Sequence, residues 1–211
     1  MELTAAEPRR KGLTQLFLDG EAAVRVDTET FLRSGLKPGD LLTDEELHSL
    51  LQASDARRAR EKALYLLEHR SHSKRELTEK IARTAASREA AEAAADHMEE
   101  LGLLNDESFA RDYARELFSR KKFGSRRVRM ELSLKGIDSA LIDELLAEYA
   151  DEEAETENVL SVLQRRYGGW EEDEKIRRRA VAALQRLGYS YEQIRSCLLY
   201  TSPSPRDLST S

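Results

Sequence analysis

The stretch GSRRVRMELSLKGIDSALI, Gly124 to Ile142, decides the fold, because its outline recurs on both sides of it. Val128 and Leu132 lie four residues apart on one helical face. Gly136 follows where a helix stops, and Asp138 where the next is capped. A shift of 51 residues places Ser73 on Gly124, Arg75 on Arg126, Leu77 on Val128, Ile81 on Leu132 and Ser87 on Asp138. The same shift sets Leu67 on Phe118 and Ala94 on Leu145. A further 52 residues match Leu132 to Leu184, Gly136 to Gly188, Asp138 to Ser190 and Ile142 to Ile194. Core, cap and stop positions coincide together, which charged helices rarely do by accident. The expectation is an all-α fold of three tandem three-helix repeats near 54–104, 105–150 and 151–200. The third has the least regular first link, around Gly168–Asp173. Stacked units touch mainly their neighbours, so an elongated, curved body is expected. A compact bundle without an extended face is the competing arrangement.

Working outward, Ala59, Ala63, Leu66 and Leu67 form one apolar stripe, and Ala90, Ala91, Ala94, Met98 and Leu101 another. Ser73-x-x-Glu76 and Ser190-x-x-Gln193 are capping boxes, Asn105 is a further N-cap, and Gly102 and Gly188 are stop signals. The helices are short and must pack on one another to be stable. Residues 1–53 read as a small appendage. Leu13–Leu18 and Ala22–Val26 flank Asp19-Gly20, a hairpin turn, with a short helix near Thr28–Ser34. Thr43 and Glu46 then open a helix expected to run to about Gln52.

Composition narrows the function. In 211 residues, 35% are charged and 40% hydrophobic, and no apolar run approaches a membrane span. No leader pattern opens the chain, and the single cysteine, Cys197, suits a reducing cytoplasm. Catalytic constellations are absent from the sequence. His69 and His72 make an H-x-x-H that nothing completes into a metal site, and at a helix end they read as solvated. No glycine-rich phosphate loop occurs, so neither enzyme activity nor a cofactor is expected.

The net charge of −6 hides segregation. Arg115 to Lys135 carries eight basic residues against Glu116 and Glu131, whereas Asp143 to Glu157 is acidic without a basic residue. Arg120, Lys121 and Lys122 close one helix, while Arg126, Arg127 and Arg129 open the next and Lys135 ends it. Lys74 and Arg75 repeat the placement one unit earlier, and Arg177, Arg178 and Arg179 one unit later. Short helix, turn and basic helix resemble a helix-turn-helix. The recurrence favours one charged stripe, suited to an acidic partner surface or a nucleic-acid backbone. Solvated helix faces are the plain alternative. Stacking aromatics, which single-strand binders use, are sparse here: Phe123 lies near the stripe, and Phe118 reads as core.

Three linked motifs follow one another in this order: Arg70-x-x-Ser73-x-x-Glu76-Leu77-x-x-Lys80; Leu101-Gly102-Leu103-Leu104-Asn105-Asp106-x-x-Phe109-Ala110-x-x-Tyr113; and Gly124-x-x-Arg127-Val128-x-x-Glu131-Leu132-x-x-Lys135-Gly136-Ile137. Together they resemble RecX regulatory proteins over about Ala63 to Leu145. The resemblance implies tandem three-helix repeats and a protein that binds the RecA filament on DNA, restraining its growth, ATP hydrolysis and strand exchange without a cofactor. Arg127 and Lys135 match motif positions. Lys74, Arg75, Arg120, Lys121, Lys122, Arg126 and Arg129 extend the expected partner-binding set by charge alone.

No dimerisation element is evident, so a monomer in the cytoplasm is expected, with single- or double-stranded DNA as an additional contact and no membrane. A helix-turn-helix protein acting on DNA without RecA is the runner-up, and an adaptor using the acidic 143–157 segment a third reading. Residues 201–211, polar and proline-containing, read as a disordered or foreign tail.

Overall fold

The computed structural model describes residues 1–149 and 151–200, so the expected tail at 201–211 lies outside the described residues. The chain forms two compact units that meet in sequence at Asn105 and Asp106.

The first unit begins with an antiparallel sheet of β1 (Leu3–Arg9), β2 (Leu13–Leu18) and β3 (Glu21–Asp27), in that order. Asp19 and Gly20 take positive φ, of 51° and 86°, which is what a tight hairpin turn between right-twisted strands requires. β1 is an addition to the expected hairpin. It hides from the sequence because it is an edge strand on which only Leu3 is buried, so apolar alternation is missing, and it carries Pro8.

Leu3, Leu16, Leu18 and Val26 pack against Phe31 of α1 (Thr28–Ser34), Leu42, and Leu50 of α2 (Asp44–His69). The Thr43–Glu46 capping box forms in both directions. The helix it starts does not end near Gln52, however, but continues for 26 residues. Nothing between Asp44 and His69 is a glycine or proline. Leu50 serves the sheet core, while Ala59 and Ala63 serve the next one. At the changeover, Ser54 accepts a hydrogen bond from the Asp27 N–H at 2.7 Å. α3 (Lys74–Ala82) and α4 (Arg88–Glu100) complete the first three-helix set around Leu77, Ile81, Ala91, Ala94, Ala95 and Met98. Its alanines let the helices approach closely.

The second unit carries two further three-helix sets. α5 (Asp106–Arg115) runs into a π-helical turn, Glu116–Arg120, and packs with α6 (Ser125–Leu134) and α7 (Ser139–Tyr149) over Phe109, Leu117, Val128, Leu132, Ile142 and Leu145. α8 (Glu152–Arg166), α9 (Glu174–Arg186) and α10 (Tyr191–Tyr200) enclose Val159, Leu163, Trp170, Leu184, Tyr189 and Ile194. The fold is all-α in three three-helix sets, preceded by a small sheet. Among the described residues, no helix is long and apolar enough to cross a membrane.

The second and third sets meet backbone to backbone. Gly124 donates to the Leu187 carbonyl at 2.8 Å. A β-carbon on Gly124 would lie 2.7 Å from the Gly188 carbonyl carbon, and one on Gly188 only 2.4 Å from the Arg127 nitrogen. Gly188 also has φ +98°. Gly188→Ala is therefore expected to destabilise this unit by about 3 kcal/mol, from positive φ and overpacking together. Gly169→Ala, at φ +80° but with only an ordinary 3.8 Å contact, is expected to cost about 1 kcal/mol. Urea unfolding followed by circular dichroism measures both, and equal losses would contradict the close-contact account.

Candidate partner-binding surface

Two of the expected cations lie in the first set, in the opening turn of α3. The Lys74 ammonium bridges to α4, 2.7 Å from Asp96 and 2.6 Å from Glu99. Hydrogen bonds to those two carboxylates hold its pKa well above the usual lysine range. Arg75 pairs with Glu79 one turn along the same helix at 3.0 Å. Both are engaged inside their own set.

Close by, His72 departs from the expected solvated histidine. It is only 2% exposed. Lys80 Nζ, which can only donate, lies 2.9 Å from its Nε2. Nδ1 therefore carries the proton and donates to the Arg70 carbonyl at 2.9 Å. Burial, followed by the nearby Arg70 and Lys80 charges, lowers the His72 pKa. His69 stays exposed at the end of α2, with Nδ1 2.7 Å from the Tyr65 carbonyl.

In the second set, pairing separates the basic residues into two groups. Arg129 contacts Asp143 of α7 at 2.5 Å, and Arg127 binds Glu131 through Nε and Nη2 at 2.9 and 2.7 Å. Arg111, which the charge pattern did not single out, ties α5 to α7 by reaching Glu107, Glu144 and Glu148 at 3.3, 2.7 and 2.5 Å. Much of the acidic 143–157 segment is thus committed internally.

The other group gathers between α5 and α6. Arg120 is 82% exposed, with Glu116 no nearer than 3.9 Å. Lys121 places its ammonium group 5.9 Å from the Tyr113 ring centre; Lys135, at the end of α6, approaches the same ring at 5.7 Å but is engaged within the chain and does not belong to this group. The Lys122 and Arg126 side chains have no carboxylate partner among the described residues. Lys122 adopts φ +57°, which is costly for a residue with a β-carbon. Its carbonyl is held by the Tyr189 hydroxyl, donating at 3.0 Å.

The N-terminus of α6 is already occupied. The buried Glu155 carboxylate accepts from the Ser125 N–H at 3.3 Å and the Ser125 hydroxyl at 2.5 Å, and also from the Gln193 amide. An incoming anion would meet the cations of the turn, not the helix dipole.

Farther along α6, the exposed face carries Met130 and Leu134, 42% and 63% exposed, beside Arg126 and Arg129. In the third set, Arg177 donates to the Trp170 and Glu171 carbonyls, Arg178 pairs with Glu174, and Arg179 is exposed. Tyr189 and Glu155, which shape the basic turn, were invisible to a charge count. One signal was available: Glu155 is the acidic residue whose position on α8 coincides with a buried face.

Models of the second and third RecX three-helix domains match residues 105–146 and 153–198. The regulatory protein RecX of Caldanaerobacter subterraneus subsp. tengcongensis is 26% identical over 88% of this chain and 92% of its own length. That of Clostridium botulinum strain Alaska E43 is 26% identical over 90% of each. The Lactobacillus gasseri protein is 32% identical, but the chain spans only 54% of its length. In fold, the chain is similar to a crystal structure of regulatory protein RecX with TM-score 0.63, covering 92% of this chain and 98% of that one at 20% identity. The Lactobacillus salivarius RecX structure gives TM-score 0.61 over 70% and 97%.

The His72 geometry predicts a pH dependence. The unfolded chain titrates this histidine near 6.5 and the folded chain lower, so unfolding takes up a proton below pH 6.5. Stability should be full above pH 6.5 and fall as pH drops towards the folded pKa. His72→Gln should flatten that part of a pH series of urea midpoints; an unchanged slope would contradict the neutral, buried assignment.

Proposed function

The chain belongs to the RecX family of regulatory proteins, and from that premise we propose that it binds the RecA–DNA filament in the cytoplasm and restrains its growth and ATP hydrolysis. The observation that carries the reading is the turn between α5 and α6. Arg120, Lys121, Lys122 and Arg126 crowd there without close carboxylate partners, while Lys74, Arg75, Arg127 and Arg129 are paired within the chain. A set of solvated charges kept only for solubility would not need a left-handed Lys122 fixed by a buried tyrosine.

The same surface weighs a protein partner against DNA alone. A helix that reads a major groove presents polar groups to base edges. α6 presents Met130 and Leu134 among its arginines, a mixture that suits a protein surface with acidic and apolar ground. The runner-up, a helix-turn-helix protein acting on DNA without RecA, leaves those two side chains unexplained. An adaptor working through the acidic segment is weakened by the internal engagement of Asp143, Glu144, Glu148 and Glu155.

RecA ATP hydrolysis on single-stranded DNA, with this protein well below the RecA concentration, tests the proposal. The wild type is expected to inhibit. Alanine at Arg120, Lys122 and Arg126 together is expected to weaken inhibition about tenfold at unchanged helicity, since exposed charge contacts contribute roughly 0.5 kcal/mol each. Arg179→Ala should change little. Absence of wild-type inhibition would sink the regulator reading. Full inhibition by the triple variant would move the contact elsewhere on the protein.

A further inference from the structure

Where the second and third sets meet, a pocket of about 300 Å³ opens among Phe123, Arg127, Val162, Arg166, Tyr167, Ala183, Arg186 and Leu187. It lies at the lower end of the ~300–1,000 Å³ range of small-molecule sites. Three arginines and two aromatic rings share it, although they come from the start of α6, the end of α8 and the end of α9. The charge pattern pointed to neither Arg166 nor Arg186, which close α8 and α9, away from the basic starts of the repeats' second helices.

The chemistry of the lining is specific. Arg166 and Arg186 are exposed and have no carboxylate partner among the described residues. Arg127 spends Nε and Nη2 on Glu131, which leaves Nη1 for a ligand. Its guanidinium also lies 5.5 Å from the centre of the Phe123 ring, forming a flat cationic wall. Val162, which is buried, and Ala183 and Leu187, which are half-buried, give the floor an apolar character. Arginines that end helices often serve only to meet the carbonyl ends. That role gives no reason for two of them to converge with Arg127, from the first turn of α6, on one cavity with two rings.

We propose that this pocket holds one nucleotide unit, its phosphate on the guanidinium groups of Arg166, Arg186 and Arg127 and its base packed against Phe123 and Tyr167. Guanidinium forks match phosphate oxygens in pairs, and every base offers a face to an aromatic ring. The unit is supplied either by a free nucleotide or by a single strand threading past. The inference stands apart from the RecA reading and needs no partner protein.

The experiment uses the isolated full chain and a labelled oligothymidylate, followed by fluorescence anisotropy across a salt series. Arg166→Ala with Arg186→Ala should weaken binding at least tenfold and flatten the salt dependence by up to about 0.7 in log–log slope, the value for the one phosphate that the pocket holds. Tyr167→Leu, which keeps apolar bulk, should weaken binding about tenfold and leave the slope unchanged. Competition by thymidine monophosphate identifies a site that also takes free nucleotides. Its failure against a bound strand identifies a site for strands. Either result agrees with a nucleotide unit. Wild-type affinity and slope in the arginine variant would overturn the proposal. So would an unaffected Tyr167→Leu variant for which inorganic phosphate competes as well as thymidine monophosphate. If the arginine pair variant fails to fold, Arg186→Gln alone carries the test, with weaker binding and a slope flattened by less than about 0.7 expected.

Discussion

The contact of Gly124 with Gly188 constrains everything the second unit presents to its surroundings. Two backbones meet there with no room for a β-carbon on either side, so the turn after α9 is pressed onto the first turn of α6. Once that approach is made, buried polar groups have to be satisfied within it. The Leu187 carbonyl takes the Gly124 N–H, and the Tyr189 hydroxyl takes the Lys122 carbonyl. Glu155 bridges Ser125 and Gln193, and Asn158 donates to the Phe118 carbonyl inside the π-helical turn. Leaving any of these groups unpaired would cost roughly 1–3 kcal/mol, so the joint is specified by hydrogen bonding as much as by shape. Burial, with the Glu155 charge nearby, also pushes the Tyr189 phenol above its ordinary range, which favours the protonated form that donates to Lys122.

Electrostatics then divides the basic residues by what lies opposite them. Arg111 and Arg129 face α7 and are neutralised by it, and Lys74 faces α4 in the same way. Lys121, Lys122 and Arg126, on the turn between α5 and α6, have no carboxylate partner among the described residues, and Arg120 has Glu116 only at 3.9 Å. The Glu155 carboxylate at the N-terminus of α6 is buried and spent on Ser125 and Gln193. A chain of net charge −6 thus keeps a local positive surface. The third set helps position that surface through Tyr189 and widens it with Arg166 and Arg186.

The core was legible because each helix reports its buried face through spacing alone. Val128 and Leu132, or Leu77 and Ile81, need no knowledge of what they pack against. β1 was not legible because an edge strand with one buried residue leaves no alternation, nor was the continuity of α2, since one helix serves two cores in succession. His72 was read as solvated because its burial depends on Lys80 and the loop after α2, not on its own helix end. The candidate site divides in the same way. Which residues are basic is written in the sequence, but which remain unpaired depends on partners such as Glu144 for Arg111 and Asp96 for Lys74, set by how helices meet.

Amide hydrogen exchange on Tyr189→Phe measures most directly whether the third set holds the basic turn of the second. The substitution removes one hydroxyl from a buried ring and leaves the apolar packing in place. Exchange at Phe123 and Gly124, whose N–H groups bond Leu117 and Leu187, should quicken about tenfold, the equivalent of roughly 1.4 kcal/mol of lost hydrogen bonding, while the α2–α4 set is unchanged. Exchange at the turn that matched the wild type would mean that Lys122 holds its conformation without Tyr189, contradicting the claim that the joint shapes the surface.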